Sequence, residues 1–399
     1  MSRVVFLVDM NAFFISCEMS RNPEISGKPA AVAGDPRNRS GIILAANYEA
    51  RKFGVKTTMV IHQALKLCPG MIIIPPDHRY YEARSREVMS LLGNYSPVIE
   101  QNSIDEAWLD MTGTENLFGK PMDAARKIMD NINEGLGLWC SIGISENKLL
   151  AKIASEMKKP MGITELWLKD IKEKLWPLKV TDMYGVGKQT GSKLNNLGIN
   201  TIGDLALYDS KALTKLLGKQ GGELQAYANG LDQSPVTPHS SGEMKSIGRS
   251  STLSEDAVDI EAVRNLFLEM CEEVGYDARK NNKKARTVQI TIKYSDFQSI
   301  TRQVSIEPTY LTKDIFEKGF SLLKKNWNSF RPVRLVGVSI SGFEQENHSE
   351  QLSLFQEDEV YNQSEKEEKL EKTIDSIRSR HGLASVTRAV QIKRQKHVD

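Results

Sequence analysis

The chain has 399 residues, too many for one ordinary domain, and at 40% apolar residues it can build two to four separate cores. Its 53 basic and 51 acidic residues leave a formal charge of +2, so no gross basic signal marks it for a polyanion. No apolar run approaches the roughly 18 residues of a membrane span, no signal-type N-terminus is present, and Cys17, Cys68, Cys140 and Cys271 are too scattered for a metal knuckle. A soluble cytoplasmic protein with reduced thiols is expected.

Residues 3–8 form a continuous apolar run, the pattern of a buried strand, and residues 12–19 suit a helix after it. Short apolar runs at 29–33 and 41–46 read as strands, 58–67 as a helix closed by Pro69-Gly70, 71–74 as a strand and 79–92 as a helix. Ser96–Ile99 and Ala107–Leu109 flank Ser103-Ile104-Asp105-Glu106, which reads as a β-hairpin with an acidic tip. A helix at 121–135, a strand at 138–144 and a helix through Lys158, stopped by Pro160 and Gly162, complete a β-α-β-β-α-β order with an early insertion, a split βαβ sheet.

Residues 166–233 are helical in pattern and contain Tyr184-Gly185-Val186-Gly187-Lys188, a candidate helix-hairpin-helix. Residues 234–244 hold Pro235, Pro238, Ser240, Ser241 and Gly242 and read as a linker. A second alternating module follows: strand 245–253, helix 259–279, strands 286–294 and 301–306, helix 312–328 and strand 334–341. The region 245–342 carries 16 basic against 12 acidic residues. From residue 343 the chain is polar, with a helix expected at 365–380.

Four features carry chemistry. If the strands lie side by side, Asp9, Asp105 and Glu106 converge at one sheet edge, where close carboxylates repel and need cations. Hard oxygen donors favour Mg²⁺, with Mn²⁺ as a substitute, and two such ions about 3.5–4 Å apart are the usual device for in-line phosphoryl transfer. Tyr48 and Arg51, three apart on a helical turn, can bind phosphate oxygens together, and Lys152 is a third candidate cation. The basic run Arg279 to Arg286 and the apolar pentad Gln351-Leu352-Ser353-Leu354-Phe355, isolated in a polar tail, are candidate DNA and peptide-docking elements.

The segments Val8–Phe14, Ala46–Val55, Ser103–Ala107, Asn147–Pro160, Gly185–Gly187 and Ser246–Arg249 together resemble the family Y, or translesion, DNA polymerases. The resemblance spans Val4 to about Gly342. The tail pentad resembles the sliding-clamp-binding motif of bacterial polymerases, placed as in the polymerase V catalytic-subunit type or in Gram-positive relatives of polymerase IV. It implies an α+β right-hand fold: palm at 1–10 and 71–165, fingers at 11–70, a helical thumb at 166–233, a linker at 234–244, an α/β little finger at 245–342 and a tail at 343–399.

The resemblance also implies roles. Asp9, Asp105, Glu106 and the Met10 carbonyl would hold two Mg²⁺, with Asp105 and Glu106 catalytic. Tyr48, Arg51 and Lys152 would bind the triphosphate, and Phe14 would be the steric gate against a ribose 2′-hydroxyl, with Phe13 next to it. Gly185, Val186, Gly187, Lys188, Arg249, Lys283 and Lys284 would contact DNA, and Gln351, Leu352, Leu354 and Phe355 the clamp. Ala45 stands where some members carry a hydroxyl, and Ile42 and Ile43 lie near the nascent base pair. The expected activity is low-fidelity, template-directed addition of dNTP to a primer, by a monomer partnered by primer–template DNA and a sliding clamp. The competing readings are a catalytically dead scaffold of the same family and a cyclase-like two-metal enzyme. Intact acids oppose the first, and the hairpin, the second module and the clamp-like tail oppose the second.

Overall fold

The computed structural model describes residues 3–35, 41–238, 244–344, 358–382 and 385–387, which belong to two compact units, Met1–Gly242 and Glu243–Asp399. The first unit runs β1 (Val5–Met10), α1 (Phe13–Arg21), β2 (Ala30–Ala33), β3 (Ile43–Ala46), α2 (Tyr48–Lys52), α3 (Ile61–Leu67), β4 (Ile72–Ile74), α4 (His78–Leu92), β5 (Ile99–Gln101), β6 (Glu106–Asp110), α5 (Glu115–Phe118), α6 (Pro121–Leu136), β7 (Cys140–Ser145), α7 (Lys148–Met157) and β8 (Ile163–Glu165). Then come α8 (Ile171–Lys174), α9 (Lys188–Asn196), α10 (Ile202–Leu207), α11 (Ser210–Leu217) and α12 (Lys219–Ala228).

The main sheet has the order β5-β6-β1-β7-β8. β1 lies at its centre, and all six of its residues are buried, which is why it reads as unbroken apolar sequence up to Asp9. Its Phe6 and Val8 face a core shared with Tyr81, Val88 and Leu92 of α4 and Ile128 and Ile132 of α6. Its Val5 and Leu7 face the other way, onto Ala151 of α7, Trp108 and Val236. Val236 was expected in a linker. Instead residues 234–237 are docked on this unit, with Arg3 donating to the Ser234 carbonyl and the Thr237 amide to Glu100.

α7 lies against β7 because Gly143 leaves room for it: a Cβ there would sit 1.9 Å from the Ala151 carbonyl oxygen. A separate small sheet, β3-β2-β4, packs with α2 and α3 around Ala31, Ile43, Ala46, Val55 and Ile61. Helices α8 to α12 close on a third core with Leu194, Ile202, Leu205, Leu213 and Leu224.

The second unit runs β9 (Ser246–Ala257), α13 (Arg264–Lys280), β10 (Ala285–Tyr294), β11 (Ser299–Thr309), α14 (Thr312–Asn326), β12 (Val333–Phe343) and α15 (Asp358–His381). Its antiparallel sheet has the order β11-β10-β12-β9. Val288, Ile290, Ile292, Val336, Val338 and Ile340 point to one face and are covered by Phe267, Val274, Ile315 and Phe320 of α13 and α14. The opposite face consists of cross-strand rows: Ser246–Ser341–Thr287–Ser305, Gly248–Ser339–Gln289–Gln303 and Ser250–Gly337–Thr291–Thr301. None of these residues is charged.

α15 is longer than expected and docks on the helical side. Arg279, whose side chain is 4% exposed, is bound by Asp375 at 2.6 Å and Glu371 at 3.1 Å. Lys284 meets Glu368 at 3.0 Å, Lys313 meets Glu367 at 2.9 Å, and Arg378 meets Glu272 at 3.3 Å.

Candidate active site

Asp9 near the end of β1 and Glu106 at the start of β6 are direct partners in the antiparallel register, and both share the α7 side of the sheet with Leu7 and Trp108. They are 7% and 8% exposed. Like charges placed directly opposite on paired strands destabilise a sheet. Here two ammonium groups offset the repulsion. Lys152 of α7 is bound to Glu106 and lies 3.3 Å from Asp9, and Lys159, just beyond α7, lies 2.7 Å from the other Asp9 oxygen. Burial still pushes the Asp9 pKa up to about 6, against the pull of both lysines.

Asp105 sits in the turn before β6, where its carbonyl accepts the Met10 amide at 2.9 Å. Its carboxylate accepts the Ser103 hydroxyl at 2.5 Å, and Asn102 donates to Glu106. Among the described residues, no three His, Cys, Asp or Glu side chains form a ready-made ion site; Asp9 and Glu106 are instead bridged by Lys152, and Asp105 is engaged by Ser103. The donor set itself fits hard cations: carboxylates in excess, partly buried, whose charge is balanced at present by lysines.

One cavity of about 340 Å³ gathers all of the expected metal-binding and nucleotide-binding residues: Asp9, Met10, Phe13, Phe14, Tyr48, Arg51, Asp105, Glu106 and Lys152. Asn47 caps α2 by accepting the Ala50 amide, which sets Tyr48 and Arg51 on the helix's first turn. The Arg51 guanidinium stacks over the Tyr48 ring at 5.0 Å and donates to the Ala46 carbonyl. Among the described residues the buried Tyr48 hydroxyl has no hydrogen-bond partner, an arrangement that costs free energy unless a ligand atom arrives.

Lys159 and Thr57 also line the cavity, and neither was expected from the sequence. Thr57 supplies a hydroxyl to the cavity that Ala45 cannot. Ile43 does not belong to the site: the pleat turns it into the core under β2 and β3, fully buried, and Leu44 faces the cavity in its place.

Phe14 lines the cavity with its ring stacked on Tyr81. Phe13, the neighbouring alternative, is 3% exposed and belongs mainly to the core.

The expected DNA contacts fare unevenly. Gly187 caps α9 without a side-chain hydrogen bond to the helix's first amides, which have no intrahelical partner, and Gly185 adopts φ 87 as a glycine turn requires. Val186 is not a free donor: its side chain is buried and its amide bonds the Met183 carbonyl at 3.0 Å. Arg249 is tied to Glu273 and Asp277 of α13, away from the open sheet face. Lys284, like Arg279, is held by α15. Gln351, Leu352, Leu354 and Phe355 lie outside the described residues. No helix among the described residues is long and apolar enough to cross a membrane.

Three family models match the chain: the impB/mucB/samB family over residues 8–156, the IMS family HHH motif over 169–199, and the impB/mucB/samB family C-terminal domain over 244–354. The chain is 60% identical to the DNA polymerase IV of Clostridium kluyveri over the whole of both chains. It is 57% identical to that of Alkaliphilus oremlandii over 98% of this chain and 99% of the relative. With DNA polymerase IV 1 of Bacillus subtilis it shares 39% over 99% and 94%. A solved structure, the Y-family DNA polymerase chimera Dbh-Dpo4(243-245)-Dbh, superimposes with a TM-score of 0.75 at 29% identity, covering 85% of this chain and 99% of that one.

Proposed function

Since the chain belongs to the impB/mucB/samB family of Y-family polymerases, and is a DNA-directed DNA polymerase of translesion synthesis that uses primer–template DNA, dNTP and a divalent metal, we propose that its 340 Å³ cavity is the nucleotidyl-transfer site. The carrying observation is the convergence in that cavity of three acids, the Tyr48–Arg51 pair and Phe14 from four separate elements. A scaffold without activity has no support among relatives named as polymerases.

Asp9, Asp105, Glu106 and the Met10 carbonyl would hold two Mg²⁺ ions, which supply Lewis-acid activation of the primer 3′-hydroxyl and neutralise the triphosphate. Tyr48 donates its unpartnered hydroxyl to a phosphate oxygen, and Arg51 grips a second oxygen with a guanidinium already aligned by the Tyr48 ring. Lys152 and Lys159 hold the acids in the free enzyme. Once the acids are engaged elsewhere, both ammonium groups are free to turn to the triphosphate. Phe14 fills the space that a 2′-hydroxyl would need.

The first unit then comprises palm, fingers and a thumb whose α9 N-terminus takes the DNA backbone, and the second unit carries the little finger. Its open hydroxyl and amide face suits close approach of a duplex backbone, because Gly248 and Gly337 keep it flat and nothing acidic interrupts its central rows. The names of the relatives favour the polymerase IV subgroup. The tail pentad at 351–355 serves a sliding clamp, and the enzyme works as a cytoplasmic monomer.

Single-nucleotide addition by Tyr48→Phe and Arg51→Ala tests the reading. Both variants should raise the KM for dNTP, by roughly tenfold or more for the arginine, with primer–template affinity retained. Unchanged KM in both would place the triphosphate elsewhere.

A further inference from the structure

At one end of the second unit's sheet, two loops carry aromatic rings into solvent. The turn between β10 and β11 presents Phe297, 61% exposed, and the segment between α14 and β12 presents Phe330, 95% exposed. Exposed aromatics on loops are ordinary when single, but these loops are built as one piece. The Ser295 amide bonds the Pro332 carbonyl at 2.9 Å, and the Tyr294 amide bonds the Gln298 carbonyl at 2.9 Å. The Arg331 guanidinium crosses between the loops, bonding Asp296 at 2.6 Å and Gln298 at 3.0 Å and stacking on Tyr294 at 3.9 Å.

Phe297 has φ 66, the left-handed region that Gly or Asn occupies readily and a bulky ring does not. Such strain persists only where the surroundings impose it, and it concentrates at functional sites. Two cations flank its ring, Lys293 at 5.1 Å and Arg334 at 4.8 Å. Lys293 belongs to the row Thr252–Leu335–Lys293–Ser299, which continues the open face. The platform is therefore contiguous with the surface read above as the duplex grip.

We propose that Phe297 and Phe330, with Lys293 and Arg334, form a stacking platform for the unpaired template strand. The proposal rests on the reading of the open sheet face as a duplex-binding surface. Stacked bases inside a duplex offer ring faces to a protein only where a base step is forced open against its stacking energy, so two solvent-exposed aromatics find little to stack on along an undistorted paired region. Unpaired bases do offer ring faces, and adjacent cations take their phosphates. A template-directed polymerase always meets such a strand beyond the primer end. The chemistry is indifferent to base identity, since every base has a π-face, which suits a template whose bases are damaged.

The test compares two DNAs by fluorescence anisotropy with the full chain: a blunt duplex, and the same duplex with a 5′ template overhang. The double variant Phe297→Asn, Phe330→Ser keeps the left-handed turn accessible and removes both rings. It should bind the overhang DNA about tenfold more weakly, with blunt-duplex affinity unchanged. Gln289→Glu with Thr291→Glu on the sheet face should weaken both DNAs. If that second pair leaves duplex binding intact, the reading of the face fails. If the ring variant binds the overhang as tightly as the unmodified chain, or loses both DNAs equally, the platform is overturned, the former result leaving the rings to a protein partner.

Discussion

The rings of Phe14 and Tyr81 stack with centroids 4.5 Å apart and planes 14° from parallel. Behind them, the Tyr81 hydroxyl donates to Glu18 at 2.7 Å, and Arg21 grips both Glu18 oxygens. Glu18 is 3% exposed, so a buried carboxylate fixes the ring on which the proposed gate rests. Phe14→Ala should raise ribonucleotide incorporation by roughly two orders of magnitude, while deoxynucleotide addition falls less. Tyr81→Leu should relax discrimination in the same direction but by a smaller factor, since Phe14 keeps its volume and loses its backing. Steady-state incorporation of paired dNTP and rNTP measures both, and equal discrimination in all three proteins would move the gate away from Phe14.

Gly143 sets how near α7 comes to the sheet, and thereby where Lys152 can reach. Gly143→Ala places a methyl group 1.9 Å from the Ala151 oxygen and 2.5 Å from the Ser155 amide nitrogen, both backbone atoms that cannot step aside alone. Overpacking of this kind costs roughly 1–3 kcal/mol or more. Chemical denaturation should register that loss, and primer extension should fall further than the stability change accounts for, because α7 carries Lys152 away from Asp9 and Glu106. A variant of normal stability and normal activity would show that this close approach is not needed.

α15 is held on the second unit mainly by charge, with Arg279 as the buried anchor. Removing one member of a buried ion pair leaves its partners uncompensated, at a cost of roughly 3 kcal/mol or more. Arg279→Ala should strip hydrogen-exchange protection from residues 366–380 and leave duplex affinity unchanged. Loss of duplex affinity with α15 still protected would return Arg279 to the DNA interface.

The tail pentad makes its own prediction. Leu354→Ala with Phe355→Ala removes apolar anchors worth about 1.5–3 kcal/mol each when buried on a partner. Clamp-stimulated synthesis should collapse while unassisted single-nucleotide addition stays intact. Equal clamp affinity in a titration would assign docking to another segment.

Much of the first unit was legible because its signals are local. An Asp-Glu pair between apolar runs marks the hairpin, and an apolar run ending in Asp9 marks the central strand. The Tyr48–Arg51 spacing marks one face of one turn. What was missed depends on distant pairing. Lys159 lies past the end of its helix, so no periodicity points to it, and only the fold brings it to Asp9, 150 residues away. The basic run beginning at Arg279 reads from sequence as a candidate DNA contact, yet Arg279 pairs with Asp375, an acid 96 residues further on. The open sheet face shows only as Ser, Thr, Gly and Gln alternating on four strands, and it becomes a surface once their register is known.

The central claim is that Asp105 and its neighbouring acids run metal-dependent nucleotide addition in this cavity. The most direct measurement is single-turnover primer extension by Asp105→Asn across a Mg²⁺ titration, with circular dichroism to establish that the variant is folded. Asparagine keeps the hydrogen bond from Ser103 but removes the charge, so the rate at saturating Mg²⁺ should fall by roughly a thousandfold or more with the fold unchanged. Extension at a rate close to that of the unmodified chain would contradict the account.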